Sequence, residues 1–155
     1  MTVTVVFLRE NWADPEVALP GYATPGAAGA DIRANLPLPD RDSGLVLAPM
    51  ARALVPSGLC CAIPAGYEIQ VRPRSGLAVR DGITLPNAPA TIDSDYRGPL
   101  MVPLVNLGTA PFTITHGMRI AQIVVAPVVQ ARFVLADRLE PTVRGAGGFG
   151  STGTD

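Results

Sequence analysis

The run GLVLAPMARALVPSGLCCAIPAGYEIQVRP, residues 44–73, decides the fold. Val, Ile, Leu and Ala recur in segments of four to eight residues, and Pro or Gly stands at every break. A helix of that length would carry a 3.6-residue period and tolerate no such spacing of prolines. The run therefore reads as strands, GLVLAPMARALVP (44–56), LCCAIP (59–64) and YEIQVRP (67–73). Working outward, VTVVFL (3–8), ADIRA (30–34), GITLPNA (82–88), PLMVPLVNL (99–107), FTIT (112–115) and RIAQIVVAPVV (119–129) repeat the pattern. Gly and Pro, 16 each among 155 residues, exceed the roughly 12% of average usage and are spread throughout. The expected fold class is all-β, a sandwich or closed barrel. Pro103, inside a strand-like run, is expected at an edge or bulge. The one helical signal is SGLAVRDG (75–82), with Ser75 suited to an N-cap and Asp-Gly to a stop.

At this length one domain is expected. Hydrophobic residues make up 48%, yet no apolar run approaches the length needed to cross a bilayer. The start MTVTVVFLRE lacks a basic leader with a long apolar core, so a soluble, cytoplasmic protein is expected, with no membrane partner. A net charge of −1 with no basic stripe argues against a nucleic-acid polymer as partner. All twelve basic residues are Arg, which removes every lysine-based mechanism and leaves phosphate to guanidinium and backbone N–H groups. Cys60 and Cys61 are adjacent, point to opposite faces of a strand and read as packed thiols. With His116 the only histidine, zinc sites and Ser-His-Asp catalysis are excluded.

Four segments carry candidate chemistry. In RPRSGLA (72–78) a strand ends in two arginines just before a helix start, gathering Arg74, Ser75 and Gly76 at a positive helix end. In TIDSDYRG (91–98), Asp93 follows the apolar Ile92, where a general base can sit against a pocket wall. A continuous strand would align Asp93 and Asp95 with Arg97. A turn at Asp-Ser-Asp is equally open, and turn carboxylates paired with Arg97 would be a bland surface arrangement. GAGGFG (145–150) matches a dinucleotide fingerprint in letters only, since no βαβ unit surrounds it. Its glycines instead let a tail approach a ligand, with Arg144 and Phe149 as clamp and stacking ring. Asp31 with Arg33, and Arg119 with Gln122, read individually as sheet-surface pairs.

Taken in order, AGADIRA, RPRSGLA, PNAPATIDSDYRG, GMRIAQIVVAPV and RGAGGFGSTG resemble the five ordered motifs of trimeric dUTP diphosphatases, over residues 28–153. The resemblance implies a β jelly roll over 1–143, a flexible Gly-rich lid over 144–155, and a homotrimer with shared active sites. It implies hydrolysis of dUTP to dUMP and pyrophosphate, which limits uracil in DNA and supplies dUMP for thymidylate synthesis. Asn87, Ala90, Thr91, Ile92 and Met101 would hold uracil, and Tyr96 would stack under deoxyribose. Asp93 would bind the 3′-hydroxyl and orient the attacking water. Arg74, Ser75, Gly76 and Gln122 would cradle the phosphates, with Mg²⁺ bridging them and Asp31 reaching the ion through water. Arg144 would grip the γ-phosphate and Phe149 would cover the base. Three positions depart from the family pattern: Ala90 for Gly, Pro99 for an acid or amide, and Met118 for Asp. A dCTP deaminase of the same fold would need a glutamate in the strand after the hairpin. GPLMVPLVN has none, and the four Glu lie at 10, 16, 68 and 140. A non-catalytic nucleotide-binding jelly roll would be expected to lack Asp93 or the tail pair, and all three are present.

Overall fold

A computed structural model describes residues 2–148. Among them the chain forms eleven strands and one α-helix. One sheet has the order β1–β5–β9–β7, built from Val6–Arg9, Arg52–Ala62, Pro99–Asn106 and Ile83–Thr84. A second has the order β2–β3–β11–β6–β8, from Gly21–Tyr22, Ala30–Arg33, Arg119–Pro127, Tyr67–Arg72 and Ala90–Ile92. A ribbon of β10 (Phe112–Ile114) on β4 (Leu45–Leu47) completes the roll, and every pairing is antiparallel.

The alternation read from the sequence sorts side chains between the faces. Ile32, Ile69, Val71 and Ile123 of the five-stranded sheet meet Val55, Cys61, Leu100, Val102 and Leu104 of the four-stranded one in a single core. Fully burying one such aliphatic side chain stabilises the fold by roughly 1.5–3 kcal/mol. The predicted strands 44–56 and 59–64 are divided differently. β5 runs through Ser57-Gly58 by way of a register shift between Pro56 and Cys60, and Gly58 holds φ +68° there. A side chain at Gly58 would collide with Ala13 and Asn35, so the bulge needs glycine for space as well as angle. Pro103 does lie at a local edge, because β7 covers β9 only at Val105 and Asn106.

Cys61 sits in the core and Cys60 on the outer face, both unbridged. Desolvation raises both thiols above their ordinary range. His116, in the turn before β11, has its Nδ1 accepting the Leu36 N–H (3.0 Å). That bond leaves the Nε2 proton to face Asp14 Oδ2 at 3.1 Å, tying the 10–17 loop to the roll. After Pro127 the described chain has no strand or helix, and residues 128–146 are exposed throughout.

Candidate active site

The α-helix, α1 (Ser75–Asp81), starts one residue earlier than Ser75 as a cap would require. Arg74 is the N-cap in an extended conformation, and no side chain caps the helix. The cause lies in Arg74 itself: its Nε donates to Asp31 Oδ1 at 2.9 Å and holds the residue against β3. Ser75 is thereby placed in the first turn, exposed, with its hydroxyl uninvolved in capping. Gly76 faces open space, where even an added Cβ would meet nothing.

Three segments far apart in the chain converge on Asp31. Oδ1 accepts from Arg74 and Oδ2 from Arg119 Nη1 at 2.9 Å. Arg74 Nη1 also reaches the Arg119 carbonyl at 3.4 Å. Gln122 stands opposite Asp31 in the β3–β11 register, and its Nε2 donates to the Pro73 carbonyl at 2.9 Å. Its Oε1 lies so close to Gly29 that any side chain there would displace it. These residues, with Ser75 and Gly76, line a concavity of about 390 Å³. Its walls offer guanidinium groups, an amide and the first turn of α1, the donor set of an anion cradle.

The hairpin forms a second, separate concavity of about 270 Å³, lined by Thr91, Ile92, Asp93, Tyr96, Met101, Pro99 and Leu54. Residues 91–97 do not continue as one strand. After β8 the chain turns, with the Tyr96 N–H bonded to the Asp93 carbonyl at 3.2 Å. Arg97 donates to the Ser94 and Tyr96 carbonyls at 2.7 and 2.8 Å rather than to either aspartate. The Asp93 carboxylate thus has no hydrogen-bond or ion-pair partner among the described residues. Tyr96 is fixed by its hydroxyl bond to the Pro99 carbonyl (3.1 Å) and by packing over Gly98, where a Cβ would strike the ring.

Ala90 is buried at 7% exposure in β8, and its φ is not positive, so no glycine is required there. Met118 packs partly buried on the core from the 115–118 turn. Pro99 opens β9 opposite Cys60. Asn87 and Ala90 do not line the hairpin concavity. Arg144 is exposed, donating to the Gly147 carbonyl at 2.8 Å, and Phe149 lies outside the described residues. Sequence reasoning missed Leu54, which an alternating β5 places on the outer face diagonal to Met101.

The two concavities share no lining residue. The β6–β8 register pairs Ile69 with Ile92 and Val71 with Ala90, so Asp93 falls opposite Glu68. From Glu68 to Arg74 the chain advances roughly 20 Å at strand spacing. The Asp93 slot and the Arg74 cradle of one chain thus stand at different ends of β6.

A jelly roll bearing an arginine-lined cradle and a base-sized slot defines a class that handles phosphorylated small molecules. The dUTPase family model matches residues 15–153, and the chain belongs to that family. It is 63% identical over 153 residues, 99% of each chain, to the deoxyuridine 5′-triphosphate nucleotidohydrolase of Dinoroseobacter shibae. Its fold matches the dUTPase of Staphylococcus bacteriophage 80alpha, solved with dUpNHpp, at TM-score 0.84, 22% identity and coverage of 99% and 100% of the two chains. It also matches the dUTPase of phage phi11 of S. aureus, described with a structural Mg(II) ion. There the TM-score is 0.73 and the identity 19%, covering 88% of this chain and 99% of that one.

No group of three His, Cys, Asp or Glu among the described residues is placed to hold a metal. Asp31 spends one lone pair of each oxygen on an arginine and keeps the others. That suits contact with metal-bound water and fits an ion carried mainly by phosphates.

Proposed function

We propose that the protein hydrolyses dUTP to dUMP and pyrophosphate, with Asp93 orienting the water that attacks the α-phosphorus. The unpartnered Asp93 carboxylate at the rim of a small slot carries this reading, since of the two hairpin aspartates left unpaired by Arg97 it is the one that lines the slot. Thr91, Ile92 and Met101 line a slot for uracil, with Asn87 and the Ala90 backbone supplying its polar edge. Tyr96, fixed over Gly98, supports the deoxyribose and leaves no room for a ribose 2′-hydroxyl. Arg74, Ser75, Gly76 and Gln122 hold the phosphate chain. Water adds to the α-phosphorus as the bond to the bridging oxygen breaks, pyrophosphate departs, and the water proton passes to Asp93. Mg²⁺ carried by the phosphates would neutralise developing charge there. Asp31 would hold that ion's water, and it keeps Arg74 and Arg119 in place.

The site is completed between copies in a homotrimer. The roughly 20 Å between Asp93 and the cradle of one chain supports this. So do Val6, Leu8 and Leu54, exposed at 60%, 69% and 59% on the outer sheet face, and Phe133, Leu135 and Leu139 in the trailing segment. Residues 144–155 act as a lid over the 1–143 domain, Arg144 gripping the γ-phosphate and Phe149 covering the base. Two free thiols suit a reducing cytoplasm, and no helix among the described residues is long and apolar enough to cross a membrane. A pyrophosphate-release assay with magnesium tests the reading by comparing dUTP with dTTP, dCTP and UTP. Turnover of dUTP alone is expected, and equal rates on all four contradict it.

A further inference from the structure

The outward row that carries Asp31 and Gln122 does not stop at β11. Gln122 is flanked in register by Asp31 on β3 and by Arg72 on β6. Directly opposed residues on one face of an antiparallel pair hold their side chains about 5 Å apart. Ile69 and Val71 are buried, which puts Gln70 and Arg72 on the same outward face as Gln122. Arg72 therefore stands beside the cradle glutamine, although the cradle's walls do not include it.

Its guanidinium is turned along its own strand. Arg72 Nε donates to Gln70 Oε1 at 3.2 Å and Nη2 donates to the same oxygen, while Gln70 Nε2 donates to Glu68 Oε1 at 2.7 Å. Among the described residues the only direct partner of the cation is thus a neutral amide, whereas Arg74 and Arg119 share the Asp31 carboxylate. Around Gln122 stand three guanidiniums and one carboxylate, an excess of positive charge with one cation lightly held. An exposed arginine on a neutral amide loses little by exchanging it for an anionic phosphate oxygen, which accepts the same N–H groups and also pairs the charge.

We propose that Arg72 is a third phosphate-binding guanidinium, resting on Gln70 in the free protein and turning to the polyphosphate when it enters the cradle. The proposal rests on the reading of that concavity as the triphosphate site. Arg72 would raise affinity for the phosphate chain without taking part in bond breaking.

The test compares Arg72→Gln and Arg72→Lys with the unaltered enzyme. It reads KM and kcat for dUTP, inhibition by inorganic triphosphate, and inhibition by deoxyuridine, which has no phosphate. Arg72→Gln should raise KM and the triphosphate inhibition constant together, each about tenfold. The deoxyuridine constant should hold, kcat should stay within about twofold, and melting should shift by no more than about 2 °C. Arg72→Lys should recover part of the loss, as a point charge without the fork. Unchanged KM and triphosphate inhibition in Arg72→Gln would overturn the proposal, as would an equal loss of deoxyuridine binding. If the unaltered enzyme hydrolyses dUTP but ignores inorganic triphosphate, the cradle reading itself falls, and this inference with it.

Discussion

Asp31 lies within β3 and Asp93 just beyond β8 of the same five-stranded sheet, and the fold treats them in opposite ways. Asp31 is enclosed by two guanidiniums at 2.9 Å, with side-chain exposure of 20%. Asp93 is exposed and without any side-chain partner among the described residues. The first gathers cations that would otherwise repel one another, the preorganisation that the proposed phosphate cradle needs. The second is left free, as the proposed role of proton acceptor requires. The comparison separates binding from chemistry, and substitutions should separate them too.

The largest effect is expected at Asp93. Asp93→Asn should lower kcat by about a thousandfold while leaving the affinity for a non-hydrolysable dUTP analogue within a few-fold. Single-turnover kinetics alongside calorimetric titration would show the split, and unchanged turnover would remove Asp93 from the mechanism. Next comes Arg74→Gln, which strips one cation from the cradle but leaves Asp31 paired with Arg119. KM should rise by about a hundredfold, since one charge-assisted bond is lost at the phosphates. Steady-state kinetics measure it, and a fall confined to kcat would place Arg74 in the chemistry instead.

Gly98→Ala addresses the hairpin. The added methyl would push the Tyr96 ring from its seat, so discrimination between dUTP and UTP should fall by about tenfold. Competition assays with the two nucleotides would detect the change, and intact selectivity would detach Tyr96 from sugar recognition. The smallest effect concerns a third aspartate. Asp14 accepts the Glu16 N–H and faces His116 and Arg41, which hold its carboxyl below the usual value of 3.8. A depressed folded pKa means stability present above that value and lost as pH falls through the lower one. Melting temperatures should therefore show a small loss confined to pH below about 4. That loss should be absent in Asp14→Asn, whereas a matching decline in the variant would assign it to other carboxylates.

Much of the roll was legible because Gly and Pro punctuate the strands and because alternation marks the buried face. The break at Pro56-Ser57-Gly58 was misleading, since a bulge carries β5 straight through it. The start of α1 also shifted, because Arg74 is held by Asp31 from 43 residues away, a bond that local propensity does not encode. The cradle residues Arg74 and Gln122 were found by ordered motifs. The role of Arg119 and the closeness of Gly29 to Gln122 emerge only from register. Leu54 was invisible because one exposed leucine on a strand has no signature of its own. For residues 91–97 the pattern left strand and turn open, and the Tyr96 N–H to Asp93 carbonyl bond decides for the turn.

The central claim is that Asp93 of one copy acts on a nucleotide held by the Arg74 cradle of another, and complementation tests it most directly. Asp93→Asn and Arg74→Gln chains, each nearly inactive alone when dUTP is held well below KM, are unfolded together and refolded as mixed trimers. A shared site predicts recovery to about a quarter of the unaltered turnover, because each mixed ring regains one intact pair. Refolded mixtures that stay as inactive as their parents, while unaltered chains refolded in parallel regain activity, would contradict it.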